Sequence, residues 1–81
     1  MQTIVLDGSA ISDRDSFFRV FWEAFSVPLY FWNNLDALYD ILSETEWGVI
    51  EWNQYNNSLN KDFEEAIMDI FQECNYRVEK L

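Results

Sequence analysis

The sequence predicts a small α/β domain: a three-stranded parallel sheet packed by helices, in the order β-α-α-β-α-β. Three observations carry that expectation. The chain has 81 residues, a length that makes one domain. Short β-branched or aromatic runs alternate with segments of helical periodicity, the pattern of strands joined by helical crossovers. Finally, 49% of the residues are hydrophobic and 19% aromatic. That supplies enough large side chains to fill a core at this size, and too many for a disordered chain despite a net charge of −10.

Thr3-Ile4-Val5-Leu6 is an apolar run closed by the turn pair Asp7-Gly8, which predicts a buried first strand. Ser12 with Asp15 three residues on has the form of a capping box, with Asp where Glu is usual. Phe17, Phe18, Val20, Phe21, Trp22, Ala24 and Phe25 then recur at helical spacing before Pro28, so the first helix is expected over Asp13 to Phe25. Asn33 or Asn34 can cap a second helix whose inward stripe is Leu35, Leu38, Ile41 and Leu42. Trp47 to Trp52, aromatic and β-branched, reads as the second strand, and Asn53 to Asn57 as polar loop. Ser58 or Asn60 starts a third helix that turns Phe63, Ala66, Ile67, Ile70, Phe71 and Cys74 inward, and Tyr76 to Lys80 reads as a short final strand.

The composition also excludes chemistry. With no histidine there is no Ser-His-Asp or Cys-His nucleophile system, no imidazole base and no His-ligated zinc. The lone cysteine, Cys74, forms no internal disulfide and falls on the apolar side of the last helix, where packing explains it better than redox chemistry. Gln2 and Thr3 do not begin a basic stretch with a long apolar run behind it, so no signal peptide is expected and the default location is the cytoplasm. No window reaches the length of a membrane span. Strong acidity disfavours nucleic acid and anionic membranes as direct partners and favours a basic protein.

The acids are unevenly placed. Between Val20 and Asn60 there is no Lys or Arg, while Glu23, Asp36, Asp40, Glu44, Glu46 and Glu51 are all acidic. Asp36, Asp40 and Glu44 stand four residues apart, on the helix face turned away from Leu35, Leu38 and Leu42. Like charges at that spacing cost a few tenths of a kcal/mol per pair. Asp36 is offset by the positive end of the helix dipole, but Asp40 and Glu44 lie too far along. The plain reading of such a stripe is a solvated face; the functional one is a face kept for a cationic partner. A Mg²⁺ or Ca²⁺ site lacks its loop signature, and a paired-carboxylate hydrolase lacks an evident cleft. Tyr30 and Tyr39 flank the acids, residues of the type enriched in interface hot spots, against the alternative that they are core.

The run Tyr30-Phe31-Trp32-Asn33-Asn34-Leu35-Asp36-Ala37-Leu38-Tyr39-Asp40 resembles the signature of the barstar family: an aromatic pair, a short turn, then Asn-Leu-Asp-Ala-Leu-aromatic-Asp. The likeness extends to Pro28, to Ile50-Glu51-Trp52 and to Ile70-Phe71-Gln72-Glu73, and so covers nearly the whole chain. The resemblance implies a three-stranded parallel sheet and an inhibitor whose second helix plugs the basic active site of a ribonuclease. By position it implies that Asp36 and Asp40 are the two aspartates of the inhibitory helix, with Asp40 the anchor. Tyr30 and Asn34 fall on flanking contacts, Tyr39 stands where the family has tryptophan, and Glu73 matches a further acidic contact.

The expectation is thus a non-enzymatic, cofactor-free inhibitor or immunity protein that binds a basic ribonuclease or nuclease toxin one to one. Its contacts are Tyr30, Asn34, Asp36, Tyr39, Asp40, Glu44 and Glu73. The competing expectation is an acidic interaction or regulatory module for a basic protein that is not a nuclease.

Overall fold

A computed structural model describes residues 2–25, 34–45 and 47–81. Strand β1 (Gln2–Asp7), helix α1 (Arg14–Phe25), helix α2 (Leu35–Ser43), strand β2 (Gly48–Asn53), helix α3 (Lys61–Glu73) and strand β3 (Tyr76–Lys80) follow in the predicted order. The strands form one sheet in the order β1-β2-β3, and both pairings are parallel. Gln2, Gly48 and Tyr76 stand in register at the edge where all three strands begin. A side chain on Gly48 would run into the Gln2 carbonyl oxygen and sit 2.7 Å from Tyr76 Cε2, so the central strand starts on the residue that has none.

The Asp7-Gly8 pair does more than close β1. It opens a single 3-10 turn over Gly8–Ala10, capped by Asp7, whose carboxylate accepts from the Ser9 amide at 3.0 Å. The capping box of α1 is also shifted by one residue from Ser12 and Asp15. Asp13 Oδ1 accepts from the Ser16 amide at 2.8 Å, and Ser16 Oγ accepts in return from the Asp13 amide at 2.9 Å. The reason is burial. Ser16 lies one residue before the inward Phe17 and Phe18, is itself buried, and must satisfy its hydroxyl at the cap. Asp15 is left exposed in the first turn, where the helix dipole favours an acid.

The Ser16 amide, then its hydroxyl and the charge of Arg19, hold the Asp13 carboxyl below its ordinary value of 3.8. A carboxyl depressed by folding stabilises the native state in full above its unfolded value and loses that contribution as pH falls through the folded one. Asp13→Asn is therefore expected to flatten the acid limb of the stability curve, where pH falls below the ordinary carboxyl range. Urea unfolding at a series of pH values checks it; an unchanged slope contradicts the cap.

Of the open alternatives, Asn34 caps α2 and Asn60 caps α3, the latter accepting from the Asp62 and Phe63 amides at 2.9 and 3.2 Å. Ser58 is not a cap because its hydroxyl is used elsewhere, donating to the Ile11 carbonyl at 2.6 Å and tying the loop back to the start of α1. Helix α3 turns into β3 within two residues through Asn75, whose φ of 64° is the left-handed conformation that asparagine tolerates. Beyond β2, the Tyr55 hydroxyl donates to the Glu64 carboxylate, and Lys80 Nζ lies 3.7 Å from that carboxylate and 4.4 Å from the Tyr55 ring centroid. Burial, reinforced by the bond to Glu64 and its charge, pushes this hydroxyl up to about 12.

The core lies on one side of the sheet. Ile4, Leu6, Ile50, Trp52 and Tyr76, alternate residues of the three strands, join one buried cluster with Phe17, Phe18, Phe21 and Trp22 of α1 and with Ile67 and Phe71 of α3. Helix α1 packs on β1, α3 on β3, and α2 on α3. Leu38 and Leu42 are fully buried, with Leu35 and Ile41 half-buried beside them. Most of the inward positions foreseen for α3 reach that cluster, Phe63 and Ile70 from its half-buried rim. Cys74 is buried, which together with Glu73 pushes its thiol up, as packing requires. The sheet's opposite face is not covered by a described helix: Thr3, Val5, Asp7 and Arg77 are exposed, and Glu51 and Glu79 are half-buried.

Candidate partner-binding helix

Helix α2 is nine residues long and rigidly begun. Asn34 adopts extended backbone, and its Oδ1 accepts from the Ala37 amide at 2.8 Å, satisfying one of the free donors of the first turn. Asp36 follows in that first turn. Asp40 lies four residues on, about 6 Å along the axis, and Glu44 a further step beyond, at the C-cap. All three carboxylates are exposed, while Ala37, Leu38 and Leu42 hold the opposite side of the helix in the core. Tyr39 is 42% exposed beside Asp40, so its ring is part of the surface and not of the core.

Among the described residues none of Asp36, Asp40 and Glu44 takes part in an ion pair. The last turn of α2 carries no basic residue, so Glu44 adds its charge to the negative end of the helix dipole. This is a face left electrostatically unsatisfied on a helix that is itself well packed. What it can do chemically is accept charge-assisted hydrogen bonds from Arg or Lys, without first ordering a flexible segment.

Glu73 closes α3 and is exposed. Helices α2 and α3 pack together, and both run out where the strands begin, α2 just before Gly48 and α3 just before Tyr76. A hydrogen bond of 2.6 Å between Thr45 Oγ1 and Tyr76 Oη joins the two exits. Glu44 and Glu73 therefore stand at the same end of the domain. Tyr30 lies outside the described residues. A cleft of about 590 Å³ is lined by Asp13, Asp15, Arg19 and Trp22 at the start of α1; none of the α2 carboxylates lines it. Sequence reasoning took Trp47 as a strand residue and missed its exposure, although its alternation with Val49 and Glu51 carried the signal.

Asn34 caps the helix through its oxygen, which leaves its amide nitrogen outside the cap. Asn34→Asp keeps the cap and removes the donor, whereas Asn34→Ala removes both. Thermal unfolding is expected to show a loss of about 1 kcal/mol for Asn34→Ala and little for Asn34→Asp. Equal losses would contradict the cap.

Fold and helix together define a class: a small α/β domain with a parallel three-stranded sheet that holds carboxylates and an aromatic ring outward on a capped helix. The family follows from comparison with known families. The model described as "Barstar (barnase inhibitor)" matches residues 1–80, essentially the whole chain, and the protein belongs to the barstar family. That is a family of inhibitors, and its barnase-inhibitor-like function fits a domain whose acidic helix is turned to solvent.

Proposed function

We propose that this protein is a ribonuclease inhibitor, acting as the cytoplasmic immunity partner of a nuclease toxin, and that α2 occludes the enzyme's basic active site in a one-to-one complex. The observation that supports this most is the exposed pair Asp36 and Asp40, free of ion pairs among the described residues, on the capped helix of a barstar-family chain. An active site that grips phosphate with Arg and Lys offers the same donors to carboxylates borne by residues about 6 Å apart along a helix axis. Tyr39, Asn34, Glu44 and Glu73 extend the contact around that pair, and Tyr30 completes it from the segment before α2. The net charge of −10 draws a basic enzyme in from a distance, so association slows as salt rises.

The test is titration of the chain into a barnase-like ribonuclease from the same source, followed by RNA cleavage. Loss of activity complete at one equivalent is expected. A complex in which the enzyme still cleaves RNA at full rate would move the protein to the other reading, an acidic module that binds a basic protein without blocking its site.

A further inference from the structure

Parallel sheets are ordinarily covered on both faces. In this one, β2 and the residue before it turn Trp47, Val49 and Glu51 outward by alternation, and Val5 and Glu79 stand in register on either side of Glu51. Three of the four large hydrophobic side chains exposed among the described residues belong to this side: Val5, Trp47, and Leu81, which extends β3 by donating its amide to the Trp52 carbonyl at 2.9 Å. Val49, on the same side of β2, is buried but stands outside the main core cluster.

The charges on this face are equally specific. Glu51 and Glu79 oppose each other directly across β2 and β3, a like-charge pair that costs stability. Arg77 is the cation of this face, and it lies 3.3 Å from Glu79. Among the described residues Glu51 is in no ion pair. Apolar exposure and an uncompensated carboxylate thus lie on one flat surface, away from α2, which packs through α3 on the other side of the sheet. A second copy of the chain would bring the same acids and another −10, and an anionic membrane is repelled for the same reason.

We propose that the open sheet face is a second docking surface, for a cationic protein segment that lays an apolar side chain on the exposed Trp47 and a Lys or Arg on Glu51 and Glu79. Trp47 and Glu51 are four residues apart along an extended strand, about 13 Å, which sets the spacing the segment must match. Binding here is independent of ribonuclease inhibition.

The probe is a short amphipathic peptide of leucine and lysine, titrated into the full chain and followed by amide NMR. Saturable shifts are expected at Val5, Val49, Glu51 and Glu79, and a control peptide with serine in place of leucine should bind about tenfold more weakly. Glu51→Lys removes the like-charge pair, so it should unfold no earlier than the parent while losing about tenfold or more in peptide affinity. Glu51→Gln, the gentler variant, should lose about threefold. The double variant Asp36→Asn, Asp40→Asn should keep the peptide, and Glu51→Lys should keep the ribonuclease. Shifts confined to α2, equal affinity for the two peptides, or peptide affinity unaffected by both Glu51 variants would overturn the proposal. So would concentration-dependent dimerisation of the free chain in sedimentation, which would put a second copy on this face.

Discussion

Asp40→Ala is expected to weaken ribonuclease binding by about 2 kcal/mol or more, roughly thirtyfold in Kd, and more than any other single substitution on α2. Asp40 sits at the middle of the stripe, with Asp36 one turn before it and Glu44 one turn after, so in a complex it is the carboxylate best shielded from water. Truncation removes the acceptor and leaves the enzyme's cation buried without one, which is why such losses exceed the worth of the contact itself. The free protein should respond the other way. Asp40 is exposed, and its removal relieves two like-charge spacings, so thermal stability should rise by a few tenths of a kcal/mol. Opposite signs in binding calorimetry and thermal unfolding are the signature of a residue kept for a partner. Asp36→Ala should weaken binding too, yet lower stability slightly, since Asp36 favours the positive end of the helix. If both variants bound the enzyme as tightly as the parent, the α2 face would not be the inhibitory surface.

The stripe on α2 was legible because a helix repeats in a way that a short sequence cannot hide: acids four apart and leucines three and four apart point to opposite sides whatever the tertiary context. The strands were harder. Thr3 to Leu6 reads as uniformly apolar, which is how a strand buried on both faces reads, and Val5 gives no hint that it is half exposed while Ile4 and Leu6 are sealed. Only the position of the helices decides that, and no local pattern encodes it. The first cap was misplaced for a related reason. Ser12 and Asp15 satisfy the spacing rule as well as Asp13 and Ser16 do, and what separates them is which serine the aromatic face of α1 buries. Asn60 against Ser58 turned on a long-range bond to Ile11 that sequence does not show. Of the site, Asp36, Tyr39, Asp40 and Glu44 could be placed on one helix by spacing alone, but Glu73 needed the packing of α3 on α2 to be set at the same end as Glu44.

Phe17→Ala is expected to cost about 3–5 kcal/mol, the range for deleting a fully buried ring. Phe17 has no exposed surface, and its ring lies 5.4 Å from Phe18, 5.8 Å from Phe21, 5.8 Å from Trp52 and 5.7 Å from Phe63. Those neighbours belong to α1, β2 and α3. Each is held by its own backbone, so the cavity cannot close by the movement of one element, and the cost should fall toward the top of the range. A domain of this size has a total stability of about 4–12 kcal/mol, and the charge of −10 works against compaction, so the substitution removes a large share of it. Urea unfolding near neutral pH measures the loss, with Phe17→Leu as the smaller truncation that should cost less; a loss below about 1 kcal/mol for Phe17→Ala would mean that the site collapses freely. The binding consequence separates the core from the site. Phe17→Ala leaves α2 unaltered in every folded molecule, so its apparent affinity falls only by the fraction folded and its dissociation rate stays that of the parent. Asp40→Ala leaves the folded fraction intact and raises the dissociation rate. Stopped-flow dissociation therefore distinguishes a protein that fails to present its helix from one whose helix has lost its charge.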